Sequence, residues 1–210
     1  MKKITDNTEY LETEVKFLIT DAGGLREKLI SLGAVSGGNF FETNIRFDNK
    51  NKSLFKNKSL LRLRKDAKTT LTFKSRPPVK DNRFKIMREL EVEVGDFSIA
   101  GHILESLGFI KEQIYEKWRE TFITGDTVFC IDKMPYGDFL EIEGQKEEII
   151  KCSSLLGLDW EKRILLNYLE LFDILKTSLG LPFSDVTFEN FKNIRIDFSR
   201  YLNKVKAGRM

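Results

Sequence analysis

The chain has 210 residues, 41% hydrophobic and 32% charged, which allows one domain with an appendage and more charge than an average globular protein carries. Its 35 basic side chains nearly balance 32 acidic ones, and a net charge of +3 is too small for bulk nucleic-acid binding on a basic surface. No apolar run approaches the ~20 residues that span a bilayer and residues 1–6 lack the apolar stretch of a signal peptide, so a cytoplasmic protein is expected, with neither membrane nor nucleic acid as partner.

From residue 10 to 19 the sequence alternates with period two, the mark of a strand with two different faces. Glu12, Glu14 and Lys16 share one face; Leu11, Thr13, Val15 and Phe17 share the other. Residues 21–33 read as a helix that Asp21 starts and Gly33 stops. Residues 38–47 read as the next strand. Over 60–65, Arg62 and Arg64 alternate with Leu61 and Leu63. After a turn at Asp66-Ala67-Lys68-Thr69, Thr72 and Lys74 oppose Leu71 and Phe73. Over 88–94, Glu89, Glu91 and Glu93 oppose Leu90, Val92 and Val94.

Residues 96–108 repeat the plan of the first helix: Asp96 at the start, apolar periodicity, then Leu107-Gly108. The order strand, helix, Leu-Gly, strand thus occurs twice and predicts an internal duplication. This second helix carries His102, the one histidine, on its surface; a histidine-rich zinc site is excluded. Lys117 and Arg119 share a face of a strand over 116–122. Strands over 127–133 and 139–144 follow, joined by turns at Gly125-Asp126 and at 134–138, with Glu141 and Glu143 opposing Leu140 and Ile142. A third helix is expected over 145–156 and a fourth over 162–179. Cys130 and Cys152 lack metal-ligand spacing and read as buried free thiols. The tail aromatics Tyr168, Phe172, Phe183, Phe188 and Phe191 read as core before they read as a platform for a base.

These elements predict an α+β protein, mainly β: a closed antiparallel eight-stranded β-barrel tunnel with flanking helices and a C-terminal helical extension. Residues 1–160 would form the tunnel domain and 161–210 the extension packed on it. The helices can cover the apolar faces from outside, which leaves the charged faces for a lumen. Surface strands tend to mix signs, whereas here whole strands are acidic (Glu89, Glu91, Glu93) or basic (Arg62, Arg64). Charge removed from bulk water must be paired or must bind ions. Clustered carboxylates suit Mg²⁺ or Mn²⁺, and clustered Arg and Lys suit phosphoryl oxygens. Together they fit a metal–polyphosphate complex.

Glu12-Thr13-Glu14-Val15-Lys16 resembles the ExExK signature of the CYTH superfamily, the triphosphate tunnel metalloenzymes, which include class IV adenylyl cyclases, thiamine triphosphatases and inorganic triphosphatases. The ordered series strengthens the resemblance. Leu61-Arg62-Leu63-Arg64 resembles the family's paired-arginine strand, Leu71-Thr72-Phe73-Lys74 its lysine strand, and Arg88-Glu89-Leu90-Glu91 its middle acidic strand. Lys117-Trp118-Arg119 resembles the KxR strand, and Asp132 with Glu141 and Glu143 the closing acidic hairpin. The resemblance implies that Lys16, Arg62, Arg64, Lys74, Lys117 and Arg119 contact a triphosphate. It implies Glu12, Glu14, Glu141 and Glu143 as metal ligands, with Asp132, Glu89 and Glu91 as ligands or beside them. Glu12, Glu14, Lys16, Lys74 and Arg119 would stand at the reaction centre. Glu93 is expected near a rim, and Arg88 outside. Where some members carry a tyrosine before Phe-Asp, this chain has Arg46, which would add a cation if it points inward. The implied activity is metal-dependent triphosphate hydrolysis. The alternatives are an adenylyl cyclase and a non-catalytic polyphosphate- or nucleotide-binding module; a homodimer is left open.

Overall fold

The computed structural model describes residues 10–77 and 81–207; residues 1–6, which carry no apolar signal stretch, and the end of the tail lie outside them. The chain forms eight strands: β1 (Leu11–Ile19), β2 (Val35–Asn49), β3 (Leu60–Lys65), β4 (Thr69–Ser75), β5 (Lys85–Glu93), β6 (Phe109–Thr124), β7 (Thr127–Met134) and β8 (Gly137–Glu143). They close into one barrel in the order β1-β5-β4-β3-β2-β6-β7-β8. Every neighbouring pair is antiparallel. Seven α-helices accompany them among the described residues: α1 (Ala22–Ser31), α2 (Ser53–Lys56), α3 (Phe97–Ser106), α4 (Lys146–Leu155), α5 (Tyr168–Leu179), α6 (Phe188–Phe191) and α7 (Leu202–Val205).

The duplication is visible in the caps. The Asp21 carboxylate accepts from the Gly24 N–H at the start of α1, and the Asp96 carboxylate accepts from the Ile99 N–H at the start of α3. Such caps stabilise a helix by about 1 kcal/mol. Both helices end at Leu-Gly, with Gly33 at φ +82° and Gly108 at φ +89°, a backbone region that favours glycine. Exchanging β1 with β5, β2 with β6, β3 with β7 and β4 with β8 returns the same ring of strands.

The outward apolar strand faces form two clusters, and a third closes one end of the barrel. α1 and α4 bring Leu25, Leu29 and Ile149 onto Val15, Phe17, Phe129, Leu140 and Ile142. α3 sets Leu104 on Ile45, Phe47, Leu61 and Leu63. The third cluster lies on the inner face at one end of the bore, where the tail packs Phe172, Leu175, Val186, Phe191 and Phe198 on Tyr136 and on Tyr115 and Phe139, which share the lumenal parity of Lys117 and Glu141. Each fully buried side chain of this kind contributes about 1.5–3 kcal/mol. The helices leave Phe41, Leu90, Val92 and Trp118 exposed on the outer wall.

Several elements differ from what the sequence predicts. β6 starts at Phe109, not at 116, and β2 is also longer at both ends, because register shifts at Ser36/Gly38 and Arg46/Phe47 interrupt the clean alternation. The helix expected over 162–179 begins only at Tyr168, where the Asn167 side chain and Glu170 form a reciprocal capping box. The residues before it are extended: Lys16 and Ile164 exchange backbone hydrogen bonds of 3.1 and 2.7 Å. The rest of the tail is short turns, among them Val186, which bridges to Tyr115 beside β6. The tail thus bonds at one end of the barrel to edges that no strand occupies. Finally, α2 has no sequence signal; the Asp48 carboxylate accepts from the Leu54 and Phe55 N–H groups and holds it.

Candidate active site in the barrel lumen

Strand parity turns the charged faces inward, and one cavity of about 310 Å³ runs through them. It is lined by Glu12, Glu14 and Lys16 of β1, Arg62 and Arg64 of β3, Lys74 of β4, Glu89 and Glu91 of β5, Lys117 and Arg119 of β6, and Glu141 and Glu143 of β8. Every expected site residue except Asp132 is therefore on its wall. Arg46, Lys85, Tyr115, Asn167, Tyr168, Leu60 and Leu169 complete the lining. Eight basic side chains and six acidic ones line the cavity, and two more carboxylates, Glu42 and Asp132, pair with Lys117 and Arg119 from behind the wall, so the lumen holds both signs in balance.

The two signs are sorted by strand. All six lining carboxylates stand on β5, β1 and β8, which are consecutive in the ring. Six of the eight bases stand on β4, β3, β2 and β6, also consecutive. Only Lys16 and Lys85 lie within the acidic arc. The cavity thus has an acidic side and a basic side.

Ion pairs stitch the arcs together. Lys16 Nζ lies 2.6 Å from Glu141 and 3.2 Å from Glu14, and Lys85 lies 2.8 Å from Glu14. Lys74 pairs with Glu12 and, at 2.9 Å, with Glu89. Arg62 reaches Glu91 at 3.5 Å and Arg64 reaches it at 3.3 Å. Lys117 and Arg119 flank Glu42 at 3.5 and 3.7 Å, and Arg119 also contacts Glu141. The Arg62 Nε, buried, has no hydrogen-bond partner among the described residues. An unmet buried donor on a cavity wall costs free energy until an acceptor arrives.

Burial and neighbours separate the carboxylates into two kinds. Burial alone would raise Glu14, Glu42, Glu89 and Glu141, but adjacent cations overcome it. Lys16 and Lys85 lower Glu14; Lys117 and Arg119 hold Glu42 down to about 2; Lys74 lowers Glu89; Lys16 and Arg119 lower Glu141 well below the carboxylate range. Glu12 goes the other way. Burial, with Glu14 and Glu89 close by, pushes it up to about 8, since its Lys74 is shared with Glu89. Burial also raises Glu143, with Glu14 adding to it, and Glu143 makes no ion pair among the described residues. The same fields hold the bases charged: against burial, Glu14 and Glu141 raise Lys16, and Glu12 and Glu14 raise Lys74.

Asp132 stands apart. It is fully buried and absent from the cavity wall. Its oxygens accept from Arg119 Nε at 2.7 Å, Lys117 Nζ at 3.0 Å and Tyr168 Oη at 2.7 Å. Glu93, as expected, is at the rim, with its side chain 64% exposed beside Lys68. Among the described residues, no three acidic, histidine or cysteine side chains converge to hold a metal as they stand. The donor set nevertheless fits a hard divalent cation. Glu12 and Glu143 line the same cavity, and Glu14 and Glu143 are register partners. Of these, Glu12 and Glu143 are the two that burial raises, and Glu143 is the one without an ion pair among the described residues.

Sequence reasoning misses four groups on or behind the wall. Glu42 shares parity with Arg46 and is hidden by the aromatic run Phe40-Phe41. Lys85 shares parity with Glu89 but lies before the point at which alternation becomes evident. Tyr115 shares parity with Lys117 and Arg119 in an unbroken register, but as an aromatic it reads as core. Tyr168 comes from the tail, and no local pattern could place it in a lumen built by distant strands.

The model of the CYTH domain family matches residues 10–166. No curated protein matches the sequence. Among solved structures, a Pyrococcus horikoshii protein is 27% identical, with a TM-score of 0.64, covering 76% of this chain and 98% of its own. A Vibrio parahaemolyticus protein named as a candidate adenylate cyclase is 18% identical, TM-score 0.70, over 78% and 98% of the two chains. A Hippeastrum protein, named as a candidate adenylyl cyclase with a dominant triphosphatase activity, is 18% identical, TM-score 0.51, over 82% and 88%.

Proposed function

The chain belongs to the CYTH domain family, and from that premise we propose that its lumen binds a triphosphate with a divalent metal and hydrolyses it. The observation that carries this reading is the division of one cavity into an acidic and a basic side. A metal-bridged polyphosphate offers charge of both signs to match.

In this reading Arg62, Arg64, Lys74, Lys117, Arg119 and Lys16 hold the phosphoryl oxygens, the arginines as forks and the lysines as point charges. Arg46 joins them from β2, and the unmet Arg62 Nε gains its acceptor. Glu12, Glu14, Glu141 and Glu143 would hold Mg²⁺ or Mn²⁺, with Glu89 and Glu91 beside them. Bound there, such an ion offsets charge on the transferring phosphoryl group and makes a water more acidic. Glu12 exchanges its proton near neutral pH, and Lys74 holds its carboxylate in place. The low-dielectric walls strengthen every contact the bases make to the anion. We read Asp132 as the anchor of Lys117 and Arg119, not as a ligand, because its oxygens are already taken.

Inorganic triphosphate, or the triphosphate group of a nucleoside triphosphate, fits first, because the cavity is at the small end of the ~300–1,000 Å³ range of ligand sites. Cyclisation of ATP needs a platform for the purine. The tail aromatics Phe172 and Phe191 are buried in a cluster, and the aromatic lining is Tyr115 and Tyr168. The test is incubation with inorganic triphosphate, ATP and thiamine triphosphate, each with Mg²⁺ or Mn²⁺, and assay for phosphate, pyrophosphate and cyclic AMP. Phosphate release supports hydrolysis. Cyclic AMP as the main product of ATP would replace it with the cyclase, and tight binding without turnover would leave a binding module.

A further inference from the structure

Tyr168 lies beyond residue 166, where the family match ends, yet it lines the cavity. The Lys16 Nζ sits 4.7 Å from its ring centroid and the Lys117 Nζ 5.2 Å from it. Its hydroxyl donates at 2.7 Å to Asp132, the carboxylate that also holds Lys117 and Arg119. One side chain therefore touches, directly or through one carboxylate, three bases of the lumen.

The position is fixed from several sides. The Asn167–Glu170 capping box sets the first turn of α5, and the Tyr168 carbonyl accepts from the Tyr136 hydroxyl at 2.7 Å. Just upstream, the reciprocal backbone bonds of Ile164 tie the segment to Lys16 itself. Burial, with Asp132 and Glu141 nearby, raises the phenol well above its ordinary range, so the hydroxyl stays a donor.

We propose that Tyr168 is a positioning residue for triphosphate binding, holding the Lys16 and Lys117 ammonium groups against the cavity wall; this rests on the triphosphate reading. In the free protein Lys16 is drawn to Glu141 and Glu14, and Lys117 to Asp132 and Glu42. A phosphoryl oxygen must attract those N–H groups away from carboxylates. The ring attracts a cation through its π face without offering a competing oxygen. It keeps each ammonium at the wall while its N–H groups turn to the ligand. The tail thereby becomes part of the site.

The experiment compares Tyr168→Leu and Tyr168→Phe with wild type, and uses Phe172→Leu as a control for packing in the same tail cluster. Binding of inorganic triphosphate is measured by calorimetry, and KM and kcat are measured with Mg²⁺. Tyr168→Leu is expected to weaken binding about ten-fold, the scale of one or two desolvated cation–π contacts, with the same rise in KM. Tyr168→Phe keeps the ring and stays within about three-fold of wild type, while Phe172→Leu lowers thermal stability and leaves affinity unchanged. A Tyr168→Leu protein that binds triphosphate as wild type does would overturn the proposal alone. So would a Phe172→Leu protein that loses affinity equally. A wild-type protein that binds no triphosphate would overturn both the function and this role.

Discussion

Asp132→Asn separates an anchor from a metal ligand. Asp132 is fully buried, and its two oxygens accept from Arg119, Lys117 and Tyr168. Asparagine keeps the shape and one acceptor but removes the charge, so two buried cations lose their shared counter-ion. Breaking a buried pair from one side costs about 3–5 kcal/mol; Lys117 and Arg119 keep Glu42, so the low end, about 3 kcal/mol, is expected. In a domain of this size each kcal/mol moves Tm by about 2–4 °C, which gives a fall of about 6–12 °C. Thermal unfolding at pH 7 without metal, followed by circular dichroism, reads it directly. The control is Glu93→Gln, an exposed rim carboxylate whose loss should stay within about 0.5 kcal/mol. If Asp132→Asn melted together with Glu93→Gln and lost Mg²⁺ affinity instead, the anchor assignment would be wrong and Asp132 would be a ligand.

Glu42→Gln should lower Tm at pH 7, and the gap from wild type should close as pH falls from about 4.5 to about 2. A carboxyl held down to about 2 by Lys117 and Arg119 contributes stability above its unfolded pKa and loses it through its folded one, and a pH series of melts checks the convergence. Glu12, pushed up to about 8, keeps a proton at neutral pH. In the metal-free protein its contribution to stability falls as pH rises from 4.5 to 8, whereas Mg²⁺ affinity should rise over pH 7 to 9; calorimetry in buffers of different ionisation enthalpy should show proton release that Glu12→Gln abolishes. Glu143→Gln should leave Tm unchanged or slightly raised, since it deletes a buried charge without an ion pair, while weakening Mg²⁺ binding. A clear loss of stability would show that Glu143 has a structural partner after all.

Parity alone carries most of the lumen. Glu12, Glu14, Lys16, Arg62, Arg64 and Lys74 alternate with large apolar residues on strands without register shifts, so their common face is legible in the amino-acid order itself. Glu42 and Tyr115 keep the inward parity of Lys117 in an unbroken register, but Glu42 stands beside Phe40-Phe41 and Tyr115 is itself aromatic, so the charge alternation that marks the other strands is lost there. Asp132 has the inward parity of a ligand, but parity does not say how deep a side chain is set. Only the convergence of Lys117, Arg119 and Tyr168 on it does that. Tyr168 reads as core at helical spacing, and it is buried; that its ring lines the lumen depends on Ile164 finding the free edge of β1, a contact between residues far apart in the chain.

The barrel repeats itself but the charge does not. Under the exchange that maps the ring of strands onto itself, β1 and β5 both carry lining carboxylates, and β2 and β6 both carry lining bases. The two hairpins break the pattern: β3–β4 carries Arg62, Arg64 and Lys74, whereas β7–β8 carries Asp132, Glu141 and Glu143. A second basic hairpin would confine the acids to two strands and crowd β1 with cations on the far side. The acidic hairpin instead extends the acidic arc to three adjacent strands and sets Glu143 beside Glu14. A polyanion alone would meet repulsion from that arc, and a cation alone would meet it from the bases opposite. A ligand that brings both signs, with its cation toward β1 and β8 and its phosphates toward β3 and β4, is the one that relieves both, so the divergence of one hairpin is the feature of the scaffold on which the proposed metal–triphosphate reading depends.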